Sequence, residues 1–287
     1  MIGTRCLIVT GDDFGVSSEV NQAIIQAHEQ GILTSASLMV TGAACDEAVR
    51  LASRHPNLAV GLHLVLVHGQ SALPPQQIPH LVDESGRFSR SPLQAGLRYQ
   101  FSRAARRELR REIRAQLERF KRTGLRLAHV DGHLHLHMHP VVLETLVDCA
   151  EEFGIRAIRL PKEELGVNLQ LDRRRLLTQV VYTWLFGRLR RFGESRLRPA
   201  GIEFADRVYG LLQTGRITED YLLKLIPRIS AGRVEIYSHP TLLPEMDNPR
   251  GASRLQLEAL LSGRVRAALE AHGFHLTSYQ DVVLDQS

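Results

Sequence analysis

Five of the chain's thirteen histidines fall between residues 129 and 139: His129, His133, His135, His137 and His139, with Asp131 in the same register. Imidazole is the common ligand for divalent transition metals, and a merely polar strand face has no need of imidazole almost alone. Period-two spacing predicts an extended segment presenting all of them on one face. One ion cannot take five imidazoles, so the later ones are expected past the strand, facing substrate or supporting the ligands. Asp12 and Asp13 lie between Gly11 and Gly15 in a Gly-Asp-Asp-Phe-Gly turn. Adjacent carboxylates repel, and solvent, a helix N-terminus or a cation must offset that cost. Their side chains diverge, which suits two roles: one carboxylate on a metal, the other accepting a proton. The competing reading is a turn with a helix N-cap. His63 interrupts an apolar run, where a core histidine is the plainer alternative. His239 follows an apolar segment and precedes Pro240; opposite the aspartates it could serve as general acid, against the alternative of a surface-loop histidine.

These residues need elements that end side by side. Apolar runs at Cys6–Thr10, Ala36–Val40, Leu58–Leu66, Leu127–Asp131, Ile155–Leu160, Val234–Tyr237 and Phe274–Leu276 read as strands. Helices are expected from Ser17 or Ser18 to Glu29, and over Asp46–His55, Arg103–Arg122, Pro140–Phe153 and Ser253–Ala271, with helical pieces around Leu176–Phe192 and Glu219–Ile229. Within Arg103–Arg122, Leu109, Ile113, Leu117 and Phe120 share one face. Residues 67–102 read as a long surface loop. Repeated strand-then-helix units imply a mostly parallel sheet with helices outside. About seven units favour an incomplete TIM-like α/β barrel over an open sheet. No linker or repeat divides the chain, so residues 1–287 are expected to form one domain, with an accessory helical region at about 162–232. Barrel active sites lie at the C-terminal strand ends, where four polar clusters would meet.

Composition narrows the function classes. The chain has 287 residues, 44% hydrophobic and 23% charged, with a net charge of +5. This is globular composition, which excludes wholesale disorder. Ten basic residues crowd Arg103–Arg126, but no nucleic-acid motif accompanies them, so no nucleic-acid partner is expected. Three scattered cysteines argue against a disulfide framework or thiolate metal site and suit the cytoplasm. The N-terminus does not read as a signal peptide, and no transmembrane helix is expected. Leu176–Phe192 mixes aliphatic and aromatic residues and is flanked by Arg173–Arg175 and Arg188–Arg191. It reads either as a core or dimer-packing helix or as a peripheral contact with an anionic membrane on its inner face. A homodimer is a further expectation for a fold of this kind.

The motifs TGDDFG at 10–15, GLHL at 61–64, HVDGHLHLHMHP at 129–140 and SHP at 238–240 resemble, in order and spacing, those of the YdjC/ChbG carbohydrate deacetylases. The resemblance spans nearly the whole chain. It implies a distorted (β/α) barrel that removes acetyl groups from N-acetylated amino sugars with one divalent metal ion. Mg or Zn stands foremost, with Mn or Ni as further options. Carried over by position, Asp13, His63 and His133 would hold the metal, Asp12 would be the general base and His239 the acid. Asp131, His135 and His137 would bind substrate or support the ligands. Two positions depart from the family pattern: Gly11 stands where alanine is usual, and Leu134 where a further histidine is frequent. The stretch FADRVYGLLQTGRITEDYLLKLI at 204–226, followed by VEIYSHP, resembles the hopanoid-biosynthesis branch, HpnK. That finer resemblance implies N-acetylglucosaminyl bacteriohopanetetrol as substrate. Free chitooligosaccharides are the alternative, and a non-catalytic carbohydrate- or lipid-binding barrel is a reading of another class.

Overall fold

Seven parallel strands carry the chain, which the computed structural model describes over residues 5–171, 176–243 and 253–284. They are β1 (Arg5–Phe14), β2 (Ser35–Leu38), β3 (Ala59–Leu64), β4 (Val130–Gly132), β5 (Arg207–Tyr209), β6 (Arg233–Ser238) and β7 (Phe274–Thr277). The spatial order is β4-β3-β2-β1-β6-β5. Along one edge of β1, β6 pairs from Cys6 to Gly11; on the other, β7 takes Arg5–Ile8 and β2 takes Thr10–Phe14. Parallel steps require crossovers, and helices supply them. They are α1 (Ser18–Gln30), α2 (Cys45–Arg54), α3 (Pro92–Phe101), α4 (Arg103–Arg122), α5 (Pro140–Asp148), α6 (Ala150–Phe153), α7 (Leu165–Leu171), α8 (Leu176–Leu197), α9 (Glu219–Leu225), α10 (Arg254–Leu261), α11 (Gly263–Ala271) and α12 (Tyr279–Leu284).

The result is the distorted (β/α) barrel expected, but its closure differs from expectation. Residues 155–160 do not form a regular strand. They touch β4 through an isolated bridge, Val130 with Ile158, and the chain ahead of β5 through Ala157 with Glu203; Lys162, just beyond, bridges Val208 of β5. Backbone bonds from Ile158 N to Glu203 O (3.0 Å) and Arg159 N to Val130 O (3.0 Å) hold the segment in place. The irregularity delivers Arg159, fully buried, to the barrel interior.

Helix α4 buries Leu109, Ile113, Leu117 and Phe120 as their spacing predicts. Each such burial contributes roughly 1.5–3 kcal/mol. Its buried flank carries Glu108, Glu112 and Gln116, and the two carboxylates anchor the region 67–102. Ala72 N and Leu73 N donate to Glu112 (2.6 and 2.9 Å), and His80 N donates to Glu108 (2.8 Å). That region is therefore not a plain loop. It includes a 3-10 turn at Pro75–Gln77 and helix α3, which Ser91 caps and Pro92 starts. The helix expected over Ser253–Ala271 is two, because Ser262 leaves the helical region and caps α11 with its hydroxyl. Pro140–Phe153 likewise divides, at Cys149, and ends at Gly154 in the left-handed conformation.

Helix α8 does not pack wholly inside. Leu177, Val181, Trp184 and Leu185 are exposed, so the core-helix reading fails for its outer face. Arg173–Arg175, the basic flank expected before it, lies outside the described residues. Among the described residues no helix is long and apolar enough to cross a membrane.

Candidate metal centre

Strand register brings the motifs together. His63 of β3 pairs with Asp131 of β4, and Gly11 of β1 pairs with Ser238 of β6. Asp12 and His239 each lie one residue further along, at the same rim. The β1–β2 register then breaks between Gly11 and Phe14, and Asp13 takes a left-handed conformation at φ 63°. A non-glycine residue pays roughly 1–3 kcal/mol for such a backbone and keeps it only where the surroundings enforce it. Here the irregularity re-aims Asp13 toward the imidazoles.

Asp13 Oδ1 lies 3.0 Å from His133 Nδ1 and 3.3 Å from His63 Nε2. The three possible ligand atoms lie within 4.8 Å of one another, and all three residues are buried. His63 Nδ1 donates to Asp131 Oδ1 at 2.8 Å, which leaves Nε2 buried with no hydrogen bond and facing Asp13. A carboxylate behind a histidine is the usual support for a metal-bound imidazole. A second cluster, Asp12, His63 and Asp131, is as compact. Its two carboxylates, however, already hold a cation, Arg159.

Arg159 is the residue that organises the floor of the site. It reaches Asp12 with two bonds (Nη1 to Oδ2 2.7 Å, Nη2 to Oδ1 2.9 Å), Asp131 Oδ2 at 2.5 Å, and Glu235 Oε1 through Nε and Nη2 (3.0 and 2.8 Å). Glu235 also accepts from Thr10 Oγ1 (2.7 Å) and Tyr279 Oη (2.6 Å). Asp12, Asp13, Asp131 and Glu235 are at most 3% exposed. One arginine cannot neutralise four buried carboxylates, and uncompensated buried charge is costly. A divalent cation would offset such charge, and Asp13, His63 and His133 could hold one. A buried group of one Asp and two His can bind a metal.

The titration behaviour fits the same picture. Burial alone would raise Asp13, but His133 and His63 hold it well below the ordinary carboxylate range. Burial opposes charge on His63, yet Asp131 and Asp13 outweigh it and raise the imidazole to about 10. A proton on His63 thus stands where a cation is wanted. Asp131 is lowered despite burial, by Arg159 and His63. His239 is lowered by burial, against the pull of Asp13 and Asp12. Its Nε2 lies 4.0 Å from Asp12 Oδ2.

The histidine cluster is not the single face that its spacing predicts. After Gly132 the chain enters a 3-10 turn over His133–Met138, in which Leu134 and His135 have φ 52° and 55°. Only His133 reaches the compact group. His135 Nε2 meets Tyr237 Oη at 2.7 Å, with the Phe186 ring 5.7 Å away. His137 Nε2 donates to the carbonyl of Arg159 at 2.8 Å, and burial lowers its pKa to about 4. His129 lies against the Tyr279 ring at 4.9 Å, with Nε2 3.1 Å from Ser37 Oγ, and His139 precedes α5. Sequence reasoning passed over Arg159, Glu235 and Tyr237. The available signal was a lone charge within each of two apolar runs, Ile158–Leu160 and Val234–Tyr237.

Fold and site together define an α/β barrel with a carboxylate–imidazole centre at its C-terminal rim. The chain belongs to the YdjC-like protein family, whose family model matches residues 6–271. It is 37% identical over 241 residues to a Brevibacillus brevis protein named carbohydrate deacetylase, covering 83% of this chain and 82% of that one. It is 28% identical to a Serratia marcescens chitooligosaccharide deacetylase, over 97% and 99% of the two chains. Among solved structures, an Enterococcus faecalis V583 protein, provisionally described as a cellobiose-phosphate cleavage protein, superposes with a TM-score of 0.71. It shares 24% identity over 98% of this chain and 99% of its own, which speaks for the fold.

Proposed function

We propose that the chain is a metal-dependent N-deacetylase that hydrolyses the acetamide of an N-acetylated amino sugar, releasing acetate and the free amine. The observation that carries this reading is the grouping of Asp13, His63 and His133 beside a second, arginine-held carboxylate, Asp12. Relatives named for carbohydrate and chitooligosaccharide deacetylation support it. Asp13, His63 and His133 would hold one divalent ion, with Mg or Zn foremost. When bound, that ion supplies Lewis-acid polarisation of the acetamide carbonyl and stabilises the oxyanion. Arg159 holds Asp12 in place through two hydrogen bonds. Asp12 accepts a proton from the attacking water. His239, whose Nε2 lies 4.0 Å from Asp12 Oδ2, delivers a proton to the departing amine. Asp131 fixes the orientation and tautomer of His63. His135 and Tyr237 border the substrate side.

The substrate reading nearest the relatives is a free chitooligosaccharide. A lipid-linked N-acetylglucosamine is the second reading. It is favoured by the exposed apolar face of α8, whose Phe186 ring packs against His135. The test is acetate release from diacetylchitobiose and from N-acetylglucosaminyl bacteriohopanetetrol, with metal-free and metal-restored enzyme. Metal-dependent release from either supports the deacetylase reading, and the faster substrate selects between the two. Absence of release from both with metal bound overturns it. An Asp12→Asn variant that binds sugar and metal like the parent while losing turnover excludes a pure binding barrel.

A further inference from the structure

Exposed apolar residues are not scattered over this molecule. Among the described residues, eleven of the fourteen large apolar side chains that are exposed lie on α3, on α8 or at Leu134. Both helices pack on the 3-10 turn that carries His133 and Leu134, so they flank the site. On α3, Leu93, Leu97 and Phe101 recur every four residues, on the side away from buried Ala95 and Tyr99. On α8, Leu177, Val181 and Trp184 form a matching stripe. Among the described residues these are large, exposed apolar surfaces.

The charge around them has one sign. No carboxylate occurs from Pro92 to Arg107 or from Leu176 to Gly193. Arg98, Arg103, Arg107, Arg188 and Arg191 are exposed in those stretches. The Arg188 guanidinium lies 5.4 Å over the Trp184 ring, an arrangement in which the aromatic body can sit in apolar surroundings and the cation at their polar edge. A two-fold contact between copies would set these arginines against one another with no acid in either stretch to answer them. An anionic bilayer answers both features, because it offers acyl chains for the stripes and phosphates for the arginines.

We propose that the face formed by α3, Leu134 and α8 docks peripherally on an anionic lipid bilayer, with Trp184 at the headgroup–acyl boundary. Docking turns the site mouth toward the membrane. It does not depend on the reaction assigned above.

Trp184 is the only tryptophan of the chain, so its emission reports on this face alone. The experiment titrates the intact protein with phosphatidylglycerol vesicles and, separately, with phosphatidylcholine vesicles, following emission and co-sedimentation. The expected result is a blue shift and sedimentation with phosphatidylglycerol, both reversed by salt and weak with phosphatidylcholine. Leu177→Asp with Val181→Asp, and separately Arg188→Glu with Arg191→Glu, should each weaken partitioning by about tenfold or more while leaving the melting temperature unchanged. No shift and no sedimentation with phosphatidylglycerol would overturn the proposal. So would variants that bind like the parent. A blue shift that follows protein concentration without vesicles, with dimers in light scattering, would assign the face to a second copy instead.

Discussion

Asp131→Asn separates the support of a proposed metal ligand, His63, from the ligand itself. In the parent, Asp131 Oδ1 accepts from His63 Nδ1 at 2.8 Å, while Oδ2 meets Ser37 Oγ at 2.8 Å and Arg159 Nη1 at 2.5 Å. Asparagine keeps the shape but offers one oxygen. Its amide nitrogen must face either His63 Nδ1–H or Arg159, and both are donors. Whichever way it turns, the imidazole loses its anionic partner and the tautomer that leaves Nε2 free is less firmly held. Loss of such support typically costs about 10–100-fold in metal affinity, or roughly 1.4–2.7 kcal/mol. Fold stability should respond less. Arg159 retains Asp12 and Glu235, and the change removes one negative charge from a cluster that has a surplus. A net change of about 1 kcal/mol corresponds to a shift of roughly 2–4 °C. The assay is a competition titration of metal-free protein against a fluorescent zinc chelator at fixed pH, paired with thermal melts of the metal-free forms. An affinity equal to the parent's would refute the reasoning, since it would mean that His63 either is not a ligand or does not need Asp131.

Asp12→Asn should keep the bound metal, read by elemental analysis, and slow acetate release by about a hundred- to ten-thousand-fold, the range of a lost general base; a smaller loss would move that role elsewhere. Glu163 gives a pH dependence remote from the metal group. Burial raises its carboxyl to about 7, against the lowering effect of Gly210 N and Leu212 N, which donate to it at 2.8 and 3.0 Å. Between its unfolded value of 4.5 and about 7, the folded state keeps a proton that the unfolded state has lost. Its effect is therefore neutral at low pH, and stability falls as pH rises through that window, by at most about 3 kcal/mol. From denaturant melts, the pH dependence of stability of the parent and Glu163→Gln should differ between pH 4.5 and 7 and coincide outside that window; identical slopes from pH 4.5 to 7 would contradict the assignment. Gly61→Ala should destabilise by about 1–3 kcal/mol. A Cβ there would meet the His129 ring at 2.4 Å, and Tyr279 packs against that ring. Calorimetry with an unchanged melting temperature would show that His129 moves aside freely.

The rim was legible in the sequence because each motif follows an apolar run, and strand ends in a parallel barrel face one way. The departure at Gly11 is intelligible too, since the Ile24 and Leu33 side chains fill the space where an alanine Cβ would stand, at 2.9 Å each. The histidine cluster misled because period-two spacing assumes extended backbone. Leu134 and His135 adopt left-handed angles, which a leucine does not announce. Arg159 was invisible for another reason. Its partners Asp12 and Glu235 lie 147 and 76 residues away in the chain, so no local pattern connects them. Helix α3 was missed because its outward stripe is apolar and its surroundings are rich in Pro, Ser and Gln, which invert the usual pattern of a surface helix.

The central claim is that Asp13, His63 and His133 hold one catalytic ion. Titrating metal-free protein with zinc while following both binding stoichiometry and acetate release tests it most directly. The account predicts one tight equivalent, activity that saturates at that equivalent, and loss of both in Asp13→Ala and His133→Ala. Full activity in the metal-free protein, or a tight equivalent that survives both substitutions, would contradict it.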